Sequence, residues 1–298
     1  LSSIISVITI FLNAERFLEE TVDSVLGQAF QQWELLLVDD GSTDASSAIA
    51  RRLADQHSGK VHYLEHDGHK NLGMSASRNF GIQHAKGPYV ALLDADDAWY
   101  PDKLKEQLDI LERNPQVEMV YGNHLFWKSW TGKPEDVDVL MDLNSGADRV
   151  FYPPELLNIY FQSSKVASPV PSDLFFRRDL ALRRPFDNSF RNMYEDQVFL
   201  IQVFAHENVY VSTKTWTRYR QHTESFVSRF RSSTMSKGGA PPALNWAEKY
   251  LSDQGFKGTV PWKALQRVLF RFKHPALFRV ILKVKSILYR ILHPQVVK

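Results

Sequence analysis

Apolar positions in the first 126 residues follow two alternating rhythms. Strand-like runs fall at residues 4–11, 34–38, 61–64, 89–93 and 117–121, and the continuous apolar Val90-Ala91-Leu92-Leu93 reads as a strand buried on both faces. Between them the spacing is helical. After Asn13, read as an N-cap, Leu18, Val22, Val25 and Leu26 share one face; after Ser42, Thr43 and Asp44, Ile49 and Leu53 do so. A third helix is expected from the first-turn proline Pro101, with Leu104, Leu108 and Leu111 inward, ending at Asn114-Pro115. Strand–helix alternation implies right-handed crossovers, so the fold class is α/β with a mostly parallel sheet flanked by helices.

Residues 127–150 are polar and irregular and read as a mobile loop or lid. Order is expected again at 174–177, in a helix opening at Tyr194-Glu195-Asp196 and running to about Ala205, and in a strand pair at 209–212 and 216–220. Residues 232–242, SSTMSKGGAPP, read as a linker.

Ligands of parallel sheets bind beyond the carboxyl ends of the strands. Two of these ends are acidic: ELLLV runs into Asp39-Asp40, and YVALL runs into Asp94-Ala95-Asp96-Asp97. Crowded carboxylates repel one another and persist most readily when a cation or a positively charged ligand offsets the repulsion. Ser42 to Asp44 suffice to cap the following helix, leaving Asp39 and Asp40 for other work. Two Asp spaced by one residue at a strand end suit Mg²⁺ or Mn²⁺, which take carboxylates together with nucleotide phosphate oxygens.

Charge divides the chain. Ten of the 36 Lys and Arg, and none of the 34 Asp and Glu, fall in residues 254–298, which leaves residues 1–253 at a net −8. Body and tail are expected to meet different partners. With no cysteine, disulfides and thiolate metal sites are excluded. No apolar run reaches the roughly 20 residues of a spanning helix, and the first residues lack a signal-peptide pattern, so a cytoplasmic setting is expected.

Four ordered blocks carry a family resemblance: ISVITIFLN, ELLLVDDGSTD, NLGMSASRNFGIQHAKGPYVALLDADD and MYEDQVF. Over roughly residues 4–222 the chain resembles the inverting family 2 glycosyltransferases, which have the nucleotide-sugar-binding, Rossmann-like GT-A fold. The resemblance implies that Asp40 bonds a nucleobase, with Asn13 in the same pocket. It places Asp94 at the ribose or diphosphate, Asp96 on a divalent metal (Mn²⁺ or Mg²⁺) and Asp196 as catalytic base. Glu195 goes with the nucleotide-sugar site, Lys70 and Arg78 with the diphosphate, and His222 with the metal or diphosphate. Where the family often has an aromatic for the base, this chain has Leu12, and Phe11 or Phe17 is the expected substitute. A Gln-X-X-Arg-Trp motif is absent, which implies single-sugar transfer.

Two amphipathic helices are expected after Pro261, the second with Leu277, Ile281, Val284, Leu288 and Ile291 opposite Arg279, Lys283 and Arg290. A cationic helix of this kind suits an anionic membrane surface at the inner face of the cell membrane, and hence a lipid-linked saccharide acceptor. Packing on the acidic body is the other reading, and a nucleic-acid partner is not expected. The expected division is a catalytic domain over 1–230 (nucleotide half 1–126, acceptor half 127–230), a linker over 231–261 and a basic tail over 262–298. Acceptor specificity is assigned to 127–172. Two other functions fit parts of the pattern: a sugar-phosphate nucleotidyltransferase, although no Gly-rich phosphate loop follows the first strand, and an inactive nucleotide-sugar or glycan-binding module.

Overall fold

A computed structural model describes residues 5–143, 148–162, 168–225 and 240–278. The strands are β1 (Ile5–Phe11), β2 (Trp33–Asp39), β3 (Val61–Glu65), β4 (Tyr89–Leu92), β5 (Ala98–Trp99), β6 (Met119–Trp127), β7 (Val139–Met141), β8 (Arg149–Phe151), β9 (Phe175–Arg177) and β10 (Val209–Arg220). They form one sheet in the order β3-β2-β1-β4-β9-β6-β10-β5, with β7 beside β6 and β8 beside β10. Pairings among β3, β2, β1 and β4 are parallel, as is β6 with β10, while β9 runs antiparallel between the two groups. The α/β class and the mostly parallel sheet expected from the alternation are therefore present.

Helices α1 (Leu18–Leu26), α2 (Ser46–Gln56), α3 (Met74–His84) and α4 (Lys103–Arg113) supply the crossovers. Strand periodicity decides which layer each side chain meets. Val7, Phe11, Leu35 and Leu37 join Leu18, Val22, Ala50, Leu53 and Leu104 in one core cluster. Ile8 and Val38 point the other way, against α3. There Gly81 allows the close approach, because a Cβ on it would lie 2.6 Å from Cγ2 of Ile8. With helices on both faces, all seven residues of β2 are buried, which explains its unbroken apolar run.

Register aligns the acidic ends. Phe11 pairs with Asp39, and Ile8 pairs with Leu92, so residues 94–96 follow β4 at about the level where β1 and β2 end. Both acidic clusters thus occupy one rim.

In the first 230 residues the structure differs from the sequence reading in several places. Residues 127–150 are not simply a loop. A 3-10 turn at Ser129–Thr131 is followed by β7, antiparallel to β6, and β8 pairs with β10. The expected strand pair at 209–220 is a single strand, parallel to β6, with register shifts between Val211 and Thr217. Its local irregularity, with exposed Thr213 and Lys214, imitated a turn. Asn13 does not cap α1, which starts at Leu18; its side chain is used elsewhere.

Helices α5 (Glu155–Gln162), α6 (Arg178–Arg183) and α7 (Glu195–His206) complete the first of two compact units, Leu1–Arg229 and Phe230–Lys298. In the second unit α8 (Pro242–Asp253) occupies part of the range expected as linker, and α9 (Val260–Lys273) follows. They are in contact, and the buried residues are Ala243, Ala247 and Leu251 on α8 and Pro261, Ala264, Leu265 and Leu269 on α9. Thr259 caps α9 through the Trp262 amide. The second tail helix expected from Leu277 to Ile291 lies, from residue 279 on, outside the described residues. Among the described residues no helix is long and apolar enough to cross a membrane.

Candidate functional site

The loop after β1 is tied to the loop after β2. Asn13, at φ 54°, accepts the Thr43 amide on its side-chain oxygen at 2.7 Å, and its own amide donates to Ser42 Oγ at 3.0 Å. Asn13 is exposed at the rim, as expected for a nucleotide pocket, but its carboxamide organises the Ser42–Asp44 turn. Asp39 is structural: one oxygen accepts the Ser42 amide at 2.8 Å, and the other accepts the Ser47 and Tyr63 hydroxyls. The expectation that Asp39 was spare for ligand chemistry therefore fails.

Asp40 is buried, and its carboxylate accepts from the Leu72 amide (2.8 Å), the Gly73 amide (3.0 and 3.1 Å) and Ser77 Oγ (3.0 Å). That network draws the loop at residues 66–73 toward the rim. Asp40 thus builds the wall of the pocket in which the resemblance expects it to meet a base. Gly73 is required here, because its φ is 94° and a Cβ would meet the Arg191 backbone at 2.7–2.9 Å. Lys70 is exposed on the same loop. Phe11 and Phe17, the expected aromatic substitutes at the base, are both buried, whereas Leu12 is 46 % exposed.

Arg78 holds the centre. Only 2 % exposed, it donates to Asp94 Oδ1 at 2.8 Å and to Glu195 Oε1 at 2.5 Å, and lies over the Phe186 ring. Burial opposes its charge, but Asp94 and Glu195 outweigh burial and keep it protonated. Each terminal nitrogen donates to a carboxylate, so in this structure Arg78 organises acids, the diphosphate contact staying an expectation. Glu195, likewise buried, reaches the site through Arg78.

The turn at residues 94–97 is closed by the Asp97 amide donating to the Asp94 carbonyl at 3.1 Å. Burial raises the Asp94 carboxyl, and Arg78 pulls it back. Asp96 Oδ2 meets His222 Nε2 at 2.9 Å. Asp97 is fully buried; burial and the charges of Asp96 and Asp94 push it well above the ordinary carboxylate range. It accepts the Arg220 amide at 2.9 Å and the Ser172 hydroxyl at 2.6 Å, so it too is structural.

Across the site, α7 begins after Tyr194, which is in the left-handed region at φ 69°. Asp196, in the first turn, is partly exposed. Burial, reinforced by Glu195, pushes its carboxyl up to about 7. An acid so placed holds both protonation states near neutral pH. After burial itself, Asp196 is the charge that raises the Tyr160 hydroxyl; for Tyr219, Asp97, Asp96, Asp94 and Asp196 all contribute.

Behind His222 stands an aromatic box that the sequence reading missed. The Arg220 guanidinium lies 4.1 Å from the Trp127 ring centroid, 4.8 Å from Phe17 and 5.1 Å from Trp130, and donates to the Asp96 carbonyl at 2.6 Å and to Glu20. His222 packs on Phe17 at 4.7 Å. The density of rings in LFWKSW, unusual for a solvated loop, was the available signal.

The donor set a divalent cation would meet here is small. Asp96 and His222 offer one oxygen and one nitrogen, and among the described residues no cluster of three His, Cys, Asp or Glu is arranged to hold a metal. Two protein ligands are what Mg²⁺ or Mn²⁺ needs when diphosphate oxygens supply others.

Comparison with known proteins agrees with the architecture. A relative in Bacillus subtilis (strain 168), provisionally named glycosyltransferase EpsE, is 37 % identical over 116 residues, 39 % of this chain and 41 % of its own length. An uncharacterised glycosyltransferase of Haemophilus influenzae is 39 % identical over 124 residues, 41 % of this chain and 48 % of its own length. The chain thus matches less than half the length of these relatives. TarS of S. aureus, solved with UDP-GlcNAc, superposes with a TM-score of 0.62 at 17 % identity over 90 % of this chain and 71 % of TarS. The mannosyltransferase PcManGT of Pyrobaculum calidifontis, solved with GDP-Man and Mn²⁺, gives 0.54 at 17 % identity over 99 % and 82 %. These likenesses establish the GT-A fold. The model of the family described as glycosyl transferase family 2 matches residues 6–179, more than half of the sequence, and the chain belongs to that family.

Proposed function

We propose that the chain is a metal-assisted inverting glycosyltransferase that moves one sugar from a nucleotide-diphosphate sugar to a saccharide or lipid-linked saccharide. The observation that carries this reading is the Arg78 bridge. One guanidinium joins Asp94, two residues before the metal candidate Asp96, to Glu195, the neighbour of the base candidate Asp196. The bridge supports reading residues far apart in the chain as one site. The UDP-, UDP-GlcNAc- and GDP-Man-bound neighbours support a nucleotide-diphosphate donor.

Asn13, Leu12 and the loop held by Asp40 would receive the nucleotide, with Lys70 free to meet phosphate. Asp96 and His222 would hold the divalent cation, which supplies charge neutralisation for the departing diphosphate. An acceptor hydroxyl is a weak nucleophile, and Asp196 takes its proton as the new bond forms. Attack opposite the leaving group inverts the anomeric carbon in a single step. Arg78 holds Glu195, the residue before that base.

The test is Asp196→Asn. Transfer should fall by about 10²–10⁴-fold while nucleotide binding is retained. In the wild type, kcat/KM should rise with pH and level off above about 7, as the base ionises. The sign for stability is opposite. The folded chain holds the Asp196 proton more tightly than the unfolded chain does, so stability is lost as pH rises toward 7, and the Asn variant should melt no lower than wild type at pH 8. Retained transfer would remove Asp196 from the role of base.

A further inference from the structure

We propose that Ser172 is a positioning residue that sets the metal carboxylate; the inference rests on the reading of Asp96 as metal ligand. Ser172 lies in the buried 3-10 turn Pro171–Asp173, at the end of the stretch expected to govern acceptor choice, yet its contacts are with the donor side. Its hydroxyl accepts the Asp94 amide at 3.0 Å and donates to Asp97 Oδ2 at 2.6 Å. These two bonds bracket Asp96. The remaining backbone of the turn is held from the other elements: Thr21 Oγ1 donates to the Ala95 and Asp97 carbonyls at 2.9 and 2.8 Å, and Arg220 Nε to the Asp96 carbonyl at 2.6 Å. With the main chain pinned at 94, 95, 96 and 97, the Asp96 side chain is the part left facing His222 and solvent.

Ser172 can act as a fixed point because it is itself anchored. Its carbonyl accepts Trp99 Nε1 at 2.9 Å and, as a second donor whose loss still leaves it held, Thr217 Oγ1 at 3.0 Å. The next carbonyl, of Asp173, accepts Lys103 Nζ and Gln107 Nε2, and the Asp173 carboxylate meets His124 at 2.9 Å. Ser172 is fully buried and touches no candidate substrate group, so its effect passes through the turn. Removing the hydroxyl frees a backbone amide and a buried carboxylate on either side of the metal ligand. That should widen the positions Asp96 samples and weaken cation capture more than the chemical step.

The decisive experiment measures Mn²⁺ uptake from the electron paramagnetic resonance signal of the free ion, with UDP or GDP present, in wild type, Ser172→Ala and Thr217→Val. The Thr217 variant removes one buried bond to the same residue but keeps the hydroxyl, and so reports general loosening. Ser172→Ala should bind Mn²⁺ about ten-fold or more weakly, with Thr217→Val within about two-fold of wild type. In transfer assays the Mn²⁺ concentration for half-maximal rate should rise while kcat at saturating Mn²⁺ stays within about three-fold. Ser172→Cys keeps the volume with a poorer donor; it should fall between and decides the matter if the Ala variant does not fold. Equal Mn²⁺ affinity in wild type and Ser172 variants, or an equal loss in Thr217→Val, overturns the proposal alone. A wild type that takes up no Mn²⁺ with either nucleotide overturns the metal reading and this inference with it.

Discussion

Arg78 shows how one side chain can decide the fate of several acids. Its guanidinium faces two carboxylates at 2.5 and 2.8 Å in a nearly dry setting. Removing one partner of such a cluster typically costs about 3–5 kcal/mol, because uncompensated buried charge remains. Arg78→Met should lose that much stability at pH 7.5 by denaturant unfolding, with the deficit narrowing toward pH 4 as the orphaned acids protonate. Arg78→Lys should recover little, since a point charge cannot fork to two acids; full recovery would show that charge alone suffices. The acids themselves were legible as a rim cluster, because an apolar run ending in Asp is a strong local signal. Their division of labour was not. Asp39 and Asp97 are consumed by Ser42, Ser47, Tyr63, Ser172 and an Arg220 amide, partners as much as 123 residues away that no local pattern reveals.

At the level of elements, strands covered on both faces announce themselves, and β1 to β4 were found within a residue or two, whereas the strand expected at 117–121 runs on to Trp127. Elements whose burial depends on partners far along the chain were harder. In α4 the inward apolar face Leu104, Leu108 and Leu111 was evident, but Lys103 and Gln107 are buried as well. Lys103 lies 4.9 Å from the Trp99 ring centroid and donates to the Asp173 carbonyl; burial pulls its amine down to about 7. Between pH 7 and about 10.5 the unfolded chain therefore holds a proton that the folded chain has released, so wild-type stability rises with pH across that window. Lys103→Met lacks this term. It should melt higher than wild type near pH 7, by about 2–4 °C for each kcal/mol gained, with the gain shrinking toward pH 10 in calorimetric scans. A gain independent of pH would mean that Lys103 is not desolvated in the folded state. The stretch at 127–150 was misread for a related reason: β7 and β8 are three residues each, and only pairing with β6 and β10 makes them strands.

For the whole molecule, charge divides the sequence. An acidic GT-A body precedes a segment with ten cations and no acids in residues 254–298, a contrast that only the full sequence displays. We propose that this segment attaches the enzyme to an anionic membrane surface on the cytoplasmic side, where a lipid-linked acceptor would be found. Removing residues 262–298 should release the protein from vesicles containing phosphatidylglycerol, and unchanged sedimentation with those vesicles would defeat the idea. The central claim, a nucleotide-diphosphate site completed by a metal on Asp96, is tested most directly by titration calorimetry. UDP, GDP, dTDP and CMP would each be titrated with and without Mn²⁺ into wild type and Asp96→Ala. The expected result is tight, Mn²⁺-dependent binding of one nucleoside diphosphate that Asp96→Ala weakens at least ten-fold. Binding of none of them to the wild type, or binding indifferent to both Mn²⁺ and Asp96, would contradict it.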